Sequence, residues 1–332
     1  MARPAPAASV VIVGTGGTIA GRAAAGDTVS YRPGVVPIRD LAADLPGLAS
    51  FADIRTEQFF QIDSIDLTDE QMLALARRLT ELARCKDVDG IVVAHGTDTL
   101  EESAYLAHLT AQTTKPIVFV GAMRPATAVA ADGPANLLDA VAVAASPAAN
   151  GKGVLVVMNN EIHSARDAAK VSTFRVDAIE SAHGPLGVVR AGRPRFYLMP
   201  SRPHTHCSGF DIRRIERLPA VSLVTAHAGV RALSYLPLPG EEPAGLVHAG
   251  LGDGGVPEAV LPALRQVRDA GVTVVRAART AGAVVRNGAA DDDAEGWVVV
   301  DDQSPQKARL LLALALTATR DRHALQAIFD QY

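Results

Sequence analysis

Val10-Val11-Ile12-Val13-Gly14-Thr15-Gly16-Gly17-Thr18-Ile19-Ala20-Gly21 and Ile91-Val92-Val93-Ala94-His95-Gly96-Thr97-Asp98-Thr99-Leu100-Glu101-Glu102 share one pattern: a short unbroken apolar run followed at once by glycine and threonine. Residues 10–13 and 91–94 read as strands buried on both faces, the signature of a parallel sheet covered by helices. In such open sheets, ligands bind outside the carboxyl ends of the strands. Two threonine-rich strand ends in one domain therefore point to a small-molecule site built around hydroxyls, the setting for a threonine nucleophile.

Outward from these segments, strands and helices alternate. Residues 68–85 place Met72, Leu75, Ala76, Leu79, Leu82 and Ala83 on one helical face, and Thr68 with Gln71 makes a capping box. A helix through residues 101–110 follows the second strand, and residues 117–120 read as a third strand. A helix at 134–145 has proline in its first turn and Asp132 as its cap, and a fourth strand spans 154–158. This rhythm predicts a parallel sheet with right-handed crossovers. Residues 191–219, with Pro194, Pro200, Pro203, His204 and His206, break the rhythm and read as an interdomain linker. Strands near 221–225, 245–249, 272–276 and 297–300, with helices near 257–269, 306–317 and 323–330, outline a second unit. The expectation is an α/β protein: a larger N-terminal parallel-sheet domain over residues 1–190 and a smaller C-terminal α/β domain over 220–332.

A length of 332 residues suits two domains. Aromatics make up only 4%, so alanine and valine must fill thin, close-packed layers. A formal net charge of −4 offers no basic footprint for nucleic acid. The two cysteines, Cys85 and Cys207, cannot make a disulfide framework and are too few for zinc, and the His204-Thr205-His206-Cys207 run has poor ligand spacing. No apolar run reaches transmembrane length, so no membrane partner is expected. The Ala/Pro-rich residues 1–9 lack a signal-peptide core, so the expected location is cytoplasmic, or periplasmic had a leader been removed.

Each motif also has a simpler reading. Gly14, Gly16 and Gly21 approximate a dinucleotide fingerprint, but the third glycine is displaced and Gly26-Asp27-Thr28 reads as a turn where a long helix should run. Thr97, Asp98 or Thr99 would serve equally as the cap of the helix behind them. Alone, Lys170 reads as a solvated lysine, Ser64 as a turn residue, Tyr31 as amphipathic packing and His95 as a hydrogen-bonded core residue. Three further segments shift the balance. Gly121-Ala122-Met123-Arg124-Pro125 follows the third strand, Asp132-Gly133-Pro134-Ala135-Asn136-Leu137 opens the next helix, and Met158-Asn159-Asn160 with Arg166, Asp167 and Lys170 follows the fourth strand.

Together with the two Gly-Thr segments, these make the chain resemble the bacterial L-asparaginase family, including the glutaminase-asparaginases, and its type II branch more than its type I branch. The resemblance extends to Ser304-Pro305-Gln306-Lys307-Ala308-Arg309 and to the tail Ile328-Phe329-Asp330-Gln331-Tyr332. It implies hydrolysis of L-asparagine to L-aspartate and ammonia, with L-glutamine as the alternative substrate and without cofactor or metal. Thr18 matches the nucleophile, Tyr31 the mobile-loop tyrosine that contacts it, and Thr97, Asp98 and Lys170 a second hydroxyl–carboxylate–amine set. Ser64 matches the serine that binds the substrate α-carboxylate, Asp98 would also hold the α-ammonium, and the Ala122 carbonyl would accept from the amide nitrogen. Backbone N–H groups of the two Gly-Thr loops are the expected oxyanion donors, and Gly17 and Thr97 are expected among the substrate-binding residues. The resemblance also implies a homotetramer, a dimer of dimers, in which a neighbour's smaller domain finishes each site.

The chemistry is consistent with these residue types. A carboxamide is a poor electrophile, so its hydrolysis needs an activated nucleophile and a stabilised oxyanion. Lys170 is either the base that takes the threonine proton or, with Asp98 close by, an electrostatic organiser; the sequence leaves both open. Three departures from the family pattern bear on specificity. Ile65 stands where a polar residue often follows the serine. Gly255 removes a side chain from the Gly252-Asp253-Gly254-Gly255 loop offered to the neighbour. Asp291 is the candidate replacement for the neighbour's glutamate. With fewer ammonium contacts the longer substrate misposes more easily, so asparagine is expected over glutamine. Ile65 and Gly255 also leave open an amino-acid-binding module with weak turnover.

Overall fold

The structure, a computed structural model, describes residues 8–23 and 31–332, and the turn expected at Gly26-Asp27-Thr28 lies outside them. The chain divides between Arg214 and Ile215 into two compact units. The first runs through β1 (Ala8–Gly16), a small antiparallel pair of β2 (Arg22–Ala23) and β3 (Tyr31–Arg32), α1 (Ile38–Ala43), β4 (Ala52–Ile62), α2 (Asp69–Arg84), β5 (Gly90–Ala94), α3 (Leu100–Thr110) and β6 (Ile117–Val120). It continues through α4 (Gly133–Ala144), β7 (Val154–Met158), β8 (Glu161–Ser164), the antiparallel pair β9 (Ala168–Lys170) and β10 (Ile179–Ser181), β11 (Gly187–Arg190) and β12 (Arg193–Phe196).

An eight-stranded sheet of order β12-β11-β8-β7-β6-β5-β1-β4 carries this unit. Strands β4, β1, β5, β6 and β7 are mutually parallel, and β8, β11 and β12 extend the sheet antiparallel. Strand order reverses at β1, which has β4 on one side and β5 on the other, so the crevice between the ends of β1 and β5 is the topological switch point. The apolar strands are continuous because both faces are covered. Val10, Ile12, Val92 and Val118 pack under Ile38 of α1 and Leu137 and Val141 of α4. Val11, Val13, Val93 and Phe119 pack under Leu75 and Leu79 of α2 and Ala104 and Ala107 of α3.

The expected strands and helices are present, and the capping box has both halves: Gln71 N–H donates to Thr68 Oγ1 at 3.3 Å and Thr68 N–H to Gln71 Oε1 at 3.0 Å. Edge strand β4 has no clear signal in the sequence. Its alternation of Asp53, Arg55, Glu57 and Gln61 with partly exposed apolar residues is weak, because it lies at the end of the sheet. At the other edge, residues 193–196 lie within the stretch that reads as a linker but form β12, with Pro194 opposite Val189. An edge strand tolerates a proline because it need not donate on its outer side. Asp132 occupies the position before α4 but makes no capping hydrogen bond there, contrary to its expected role.

The second unit is a four-stranded, all-parallel sheet of β13 (Val221–Thr225), β14 (Gly245–Gly250), β15 (Thr273–Ala278) and β16 (Val298–Val299) in that order. Its helices are α5 (Leu261–Asp269), α6 (Asp292–Glu295), α7 (Pro305–Ala315) and α8 (Arg322–Gln331). Helix α7 packs on β13, β14 and β15, and Leu264, Val267, Leu246, Val274 and Trp297 meet in a core below α5. Among the described residues, no helix is long and apolar enough to cross a membrane.

Candidate active site

The ends of β1, β4 and β5 are joined at glycines. Gly17 takes φ 73°, a left-handed conformation, and a Cβ there would collide with the Cα and N of Gly96. Gly96 in turn abuts the Ser64 side chain with no room for a Cβ of its own. The Gly17 N–H donates to Ile62 O at 2.9 Å, at the end of β4. That bond engages the Gly17 N–H, and Gly17 brings the two loops into close approach. After Gly17 the chain makes a single 3₁₀ turn, Thr18–Ala20, closed by the Gly21 N–H on Thr18 O at 2.8 Å. Among the described residues, no long helix follows β1, as a dinucleotide turn would require.

Four threonines lie at these strand ends, and the fold sorts them. Thr15 Oγ1 donates to Ala94 O at 3.0 Å, and Thr99 Oγ1 donates to Ser64 O at 2.9 Å, so both tie the loops together. Thr18, buried, has its Oγ1 2.8 Å from the Tyr31 hydroxyl. Tyr31 is held opposite Ala23 in the β2–β3 pair, and the Gly34 N–H beyond it donates to Gly17 O at 2.9 Å. Thr97 Oγ1 accepts from Lys170 Nζ at 2.9 Å, and the same ammonium donates to Asp98 Oδ1 at 2.6 Å. The Lys170 backbone N–H donates to Glu101 Oε2 at 2.7 Å, so a buried carboxylate in the first turn of α3 holds β9 in place. Thr99 precedes α3 but its side chain makes no cap there, contrary to the capping role open to it.

Ser64 opens a 3₁₀ turn (Ser64–Asp66) after β4, and its Oγ is buried with no hydrogen-bond partner among the described residues. An unmatched buried hydroxyl costs about 1–3 kcal/mol, a cost that a polar ligand group would offset. Ile65 beside it is 67% exposed, so the residue in the polar position points an apolar surface at solvent. The loop after β6 lies against the second threonine motif: a Cβ on Gly121 would sit 2.6 Å from the Thr97 methyl. Ala122 is fully buried there.

The chain matches "Asparaginase, N-terminal" over residues 9–202 and "Glutaminase/Asparaginase C-terminal domain" over residues 220–329. The chain belongs to the asparaginase family. It is similar to the glutaminase-asparaginase of Pseudomonas fluorescens biotype A, at 46% identity over 98% of this chain and 91% of that protein. It is similar to L-asparaginase 2 of Escherichia coli K12, at 39% identity over 98% of this chain and 93% of that protein. Its fold superimposes on the crystal structure of a probable cytoplasmic L-asparaginase from Campylobacter jejuni, with a TM-score of 0.94, 38% identity, and coverage of 98% of this chain and 100% of that one.

Within this asparaginase-family chain, Thr18, Tyr31, Thr97, Asp98, Lys170, Ser64, Gly17 and Ala122 all belong to the first unit, and Gly255 and Asp291 to the second. Gly255 closes a tight loop, its N–H and carbonyl bridged to Leu251. Asp291, exposed, caps α6 by accepting from the Ala294 N–H at 3.1 Å. The sequence alone gives Glu101 and Asn136 no role. Their signal is position alone: an acid in the first turn of α3, and an Asp/Asn pair four residues apart at the start of α4.

Two buried histidines have defined tautomers. His95 Nδ1 donates to Gly96 O at 2.8 Å while Nε2 lies 3.0 Å from Ser103 Oγ, and His248 bridges Tyr235 Oη at 2.9 Å and Gly255 O at 3.3 Å. Burial pushes both rings down to about 4 from 6.5, so His95 is a core residue, as expected. Between those two values the unfolded chain binds more protons than the folded one, so stability rises with pH across that window and falls as the pH drops through it. Urea unfolding should show a loss of about 1 kcal/mol per histidine between pH 7.5 and 5.5, with a smaller slope in His248→Gln. Equal stability at both pH values would mean that the folded rings titrate normally.

Proposed function

We propose that the chain hydrolyses L-asparagine to L-aspartate and ammonia, with Thr18 as nucleophile. The observation that carries this reading is the convergence of two hydroxyl sets at the Gly17–Gly96 contact: Thr18 with Tyr31 on one side, Thr97 with Lys170 and Asp98 on the other. Thr18 Oγ1 attacks the carboxamide carbon and its proton moves toward the Tyr31 oxygen. The Thr18 and Thr97 N–H groups meet the oxyanion, since that of Gly17 is engaged by Ile62. The Tyr31 hydroxyl passes a proton on to the amide nitrogen, the carbon–nitrogen bond breaks, ammonia leaves, and water hydrolyses the aspartyl ester on Thr18 to L-aspartate, returning the proton to Thr18. Lys170 donates to Thr97 Oγ1, which leaves the Thr97 proton free to point at substrate or water. Ser64 Oγ takes the α-carboxylate, and Asp98, whose side chain is 49% exposed, takes the α-ammonium.

No cofactor or metal enters these steps. The working assembly is a homotetramer, a dimer of dimers, in which the loop at Gly255 and the segment at Asp291 serve a neighbour's site. Its location is cytoplasmic, in line with the name of the Campylobacter jejuni neighbour. Ammonia release from L-asparagine and L-glutamine, measured side by side, tests the reading. Asparagine should be preferred by kcat/KM on the order of 10-fold or more, the scale of discrimination for one methylene. Ile65→Gln, restoring a polar neighbour to Ser64, should narrow that ratio. Equal or faster glutamine turnover in the wild type would overturn the specificity, and no ammonia from either amide would overturn the reaction.

A further inference from the structure

We infer that Asp132 is the positioning residue that aims the Ala122 carbonyl at the leaving nitrogen of the amide. The inference rests on the asparaginase reading above. Its basis is the geometry of one peptide plane. The Met123 N–H donates to Asp132 Oδ2 at 2.9 Å, and the Arg124 N–H donates to Asp132 Oδ1 at 2.9 Å. In a trans peptide the carbonyl points opposite to the N–H that shares its plane. Fixing the Met123 N–H on Asp132 therefore fixes the Ala122 carbonyl in the reverse direction, away from the helix.

The neighbouring carbonyl is separately engaged. Asn136 Nδ2 donates to Gly121 O at 3.0 Å and to Asp132 Oδ2 at 3.2 Å, while Asn136 Oδ1 accepts from the Asn159 N–H at 2.9 Å. Asn136 is itself buried, so the brace is anchored to α4 and to the end of β7 together. Of the two carbonyls at Gly121 and Ala122, only that of Ala122 has no donor among the described residues, and Ala122 is fully buried. Buried carbonyls are almost always paired, so one held in place without a donor suits an N–H brought by a ligand.

The position of Asp132 supports the same conclusion. It stands immediately before α4, where an aspartate ordinarily accepts from its own helix and contributes about 1 kcal/mol. Here the carboxylate forgoes that backbone bond and turns to the N–H groups of Met123 and Arg124, touching α4 only through the Asn136 side chain. Asp132 does not touch substrate in this scheme and acts through the Ala122 peptide.

The test compares L-asparagine with the β-methyl ester of L-aspartate, which keeps both α-groups and the acyl portion but has no N–H on the leaving atom. Asp132→Asn keeps the volume and offers one acceptor oxygen to two N–H donors; Asp132→Ala removes both acceptors. Both variants should lose kcat on asparagine by about 10- to 100-fold, the scale of one misplaced transition-state hydrogen bond. Ester turnover should fall by less than about threefold, and KM for asparagine should change little, because the contact grows as nitrogen leaves. Equal losses on amide and ester by folded variants would reduce Asp132 to a structural brace and overturn the inference, as would full amide activity in Asp132→Ala. A wild type that cleaves the ester but not asparagine would instead overturn the asparaginase reading itself.

Discussion

Thr18→Ala should fold as the wild type does and lose asparagine turnover by on the order of 10⁴-fold or more, the scale seen when a nucleophile is removed from a working set. The expectation follows from what surrounds the side chain. Thr18 lies in a one-turn 3₁₀ segment whose backbone bonds, from Gly21 to Thr18 and from Gly34 to Gly17, do not involve its hydroxyl. The lost hydroxyl leaves only the Tyr31 oxygen without its partner, and Tyr31 is 36% exposed, so water can replace it. Urea unfolding should therefore change by no more than about 1 kcal/mol. Ammonia release and intact-mass analysis after rapid quenching check the other half: wild type should carry an aspartyl adduct and Thr18→Ala should not. Turnover that persists in Thr18→Ala would remove Thr18 from the chemistry and turn attention to Thr97, the other hydroxyl in the pair of sets.

The largest stability effect is expected in the second unit. Arg276 and Asp292 are both fully buried and form a two-pronged ion pair, Nε to Oδ1 and an Nη to Oδ2, each at 2.6 Å. The guanidinium also donates to Asp253 O at 2.7 Å and Val285 O at 2.8 Å, and the Asn287 N–H donates to Asp292 Oδ2 at 2.8 Å. One buried cation thus holds β15, the Gly252–Gly255 turn, the segment near Val285 and α6 together. Asp292→Ala leaves that cation uncompensated and should cost about 3–5 kcal/mol. For a unit of this size that is a fall of roughly 10 °C or more in the midpoint of thermal unfolding. Replacing both partners with apolar residues of similar volume should recover most of the loss, since the pair also carries a desolvation penalty. A loss below about 1 kcal/mol in Asp292→Ala would show that water reaches the guanidinium and that the pair is not a buried anchor.

Legibility followed burial. Strands β1, β5, β6 and β7 could be read directly because they are covered on both faces: Val10 and Ile12 enter one layer, Val11 and Val13 the other, so no polar residue interrupts the run. Strands β4 and β12 could not, because edge strands carry Arg55, Glu57, Arg193 and Pro194 without cost. That omission hid how Ser64 reaches the site, since β4 delivers it beside Gly96. Asp132 was legible as a residue at a helix start and not as a brace for the preceding loop, because the local pattern of a cap is the same whether the carboxylate turns to its helix or away from it.

The sequence by itself determined the α/β class, the two Gly-Thr strand ends and their place at the carboxyl edge of a parallel sheet, because periodicity and glycine placement are local properties. It also carried the motifs that mark the asparaginase family. Only the tertiary structure decided which hydroxyls are free for chemistry. Thr15, Thr18, Thr97 and Thr99 are alike as letters, yet Thr15 is tied to Ala94 and Thr99 to Ser64, while Thr18 meets Tyr31 and Thr97 meets Lys170. Most of these partners lie far away along the chain, so the hydrogen bond that assigns each threonine exists only once the strands have paired.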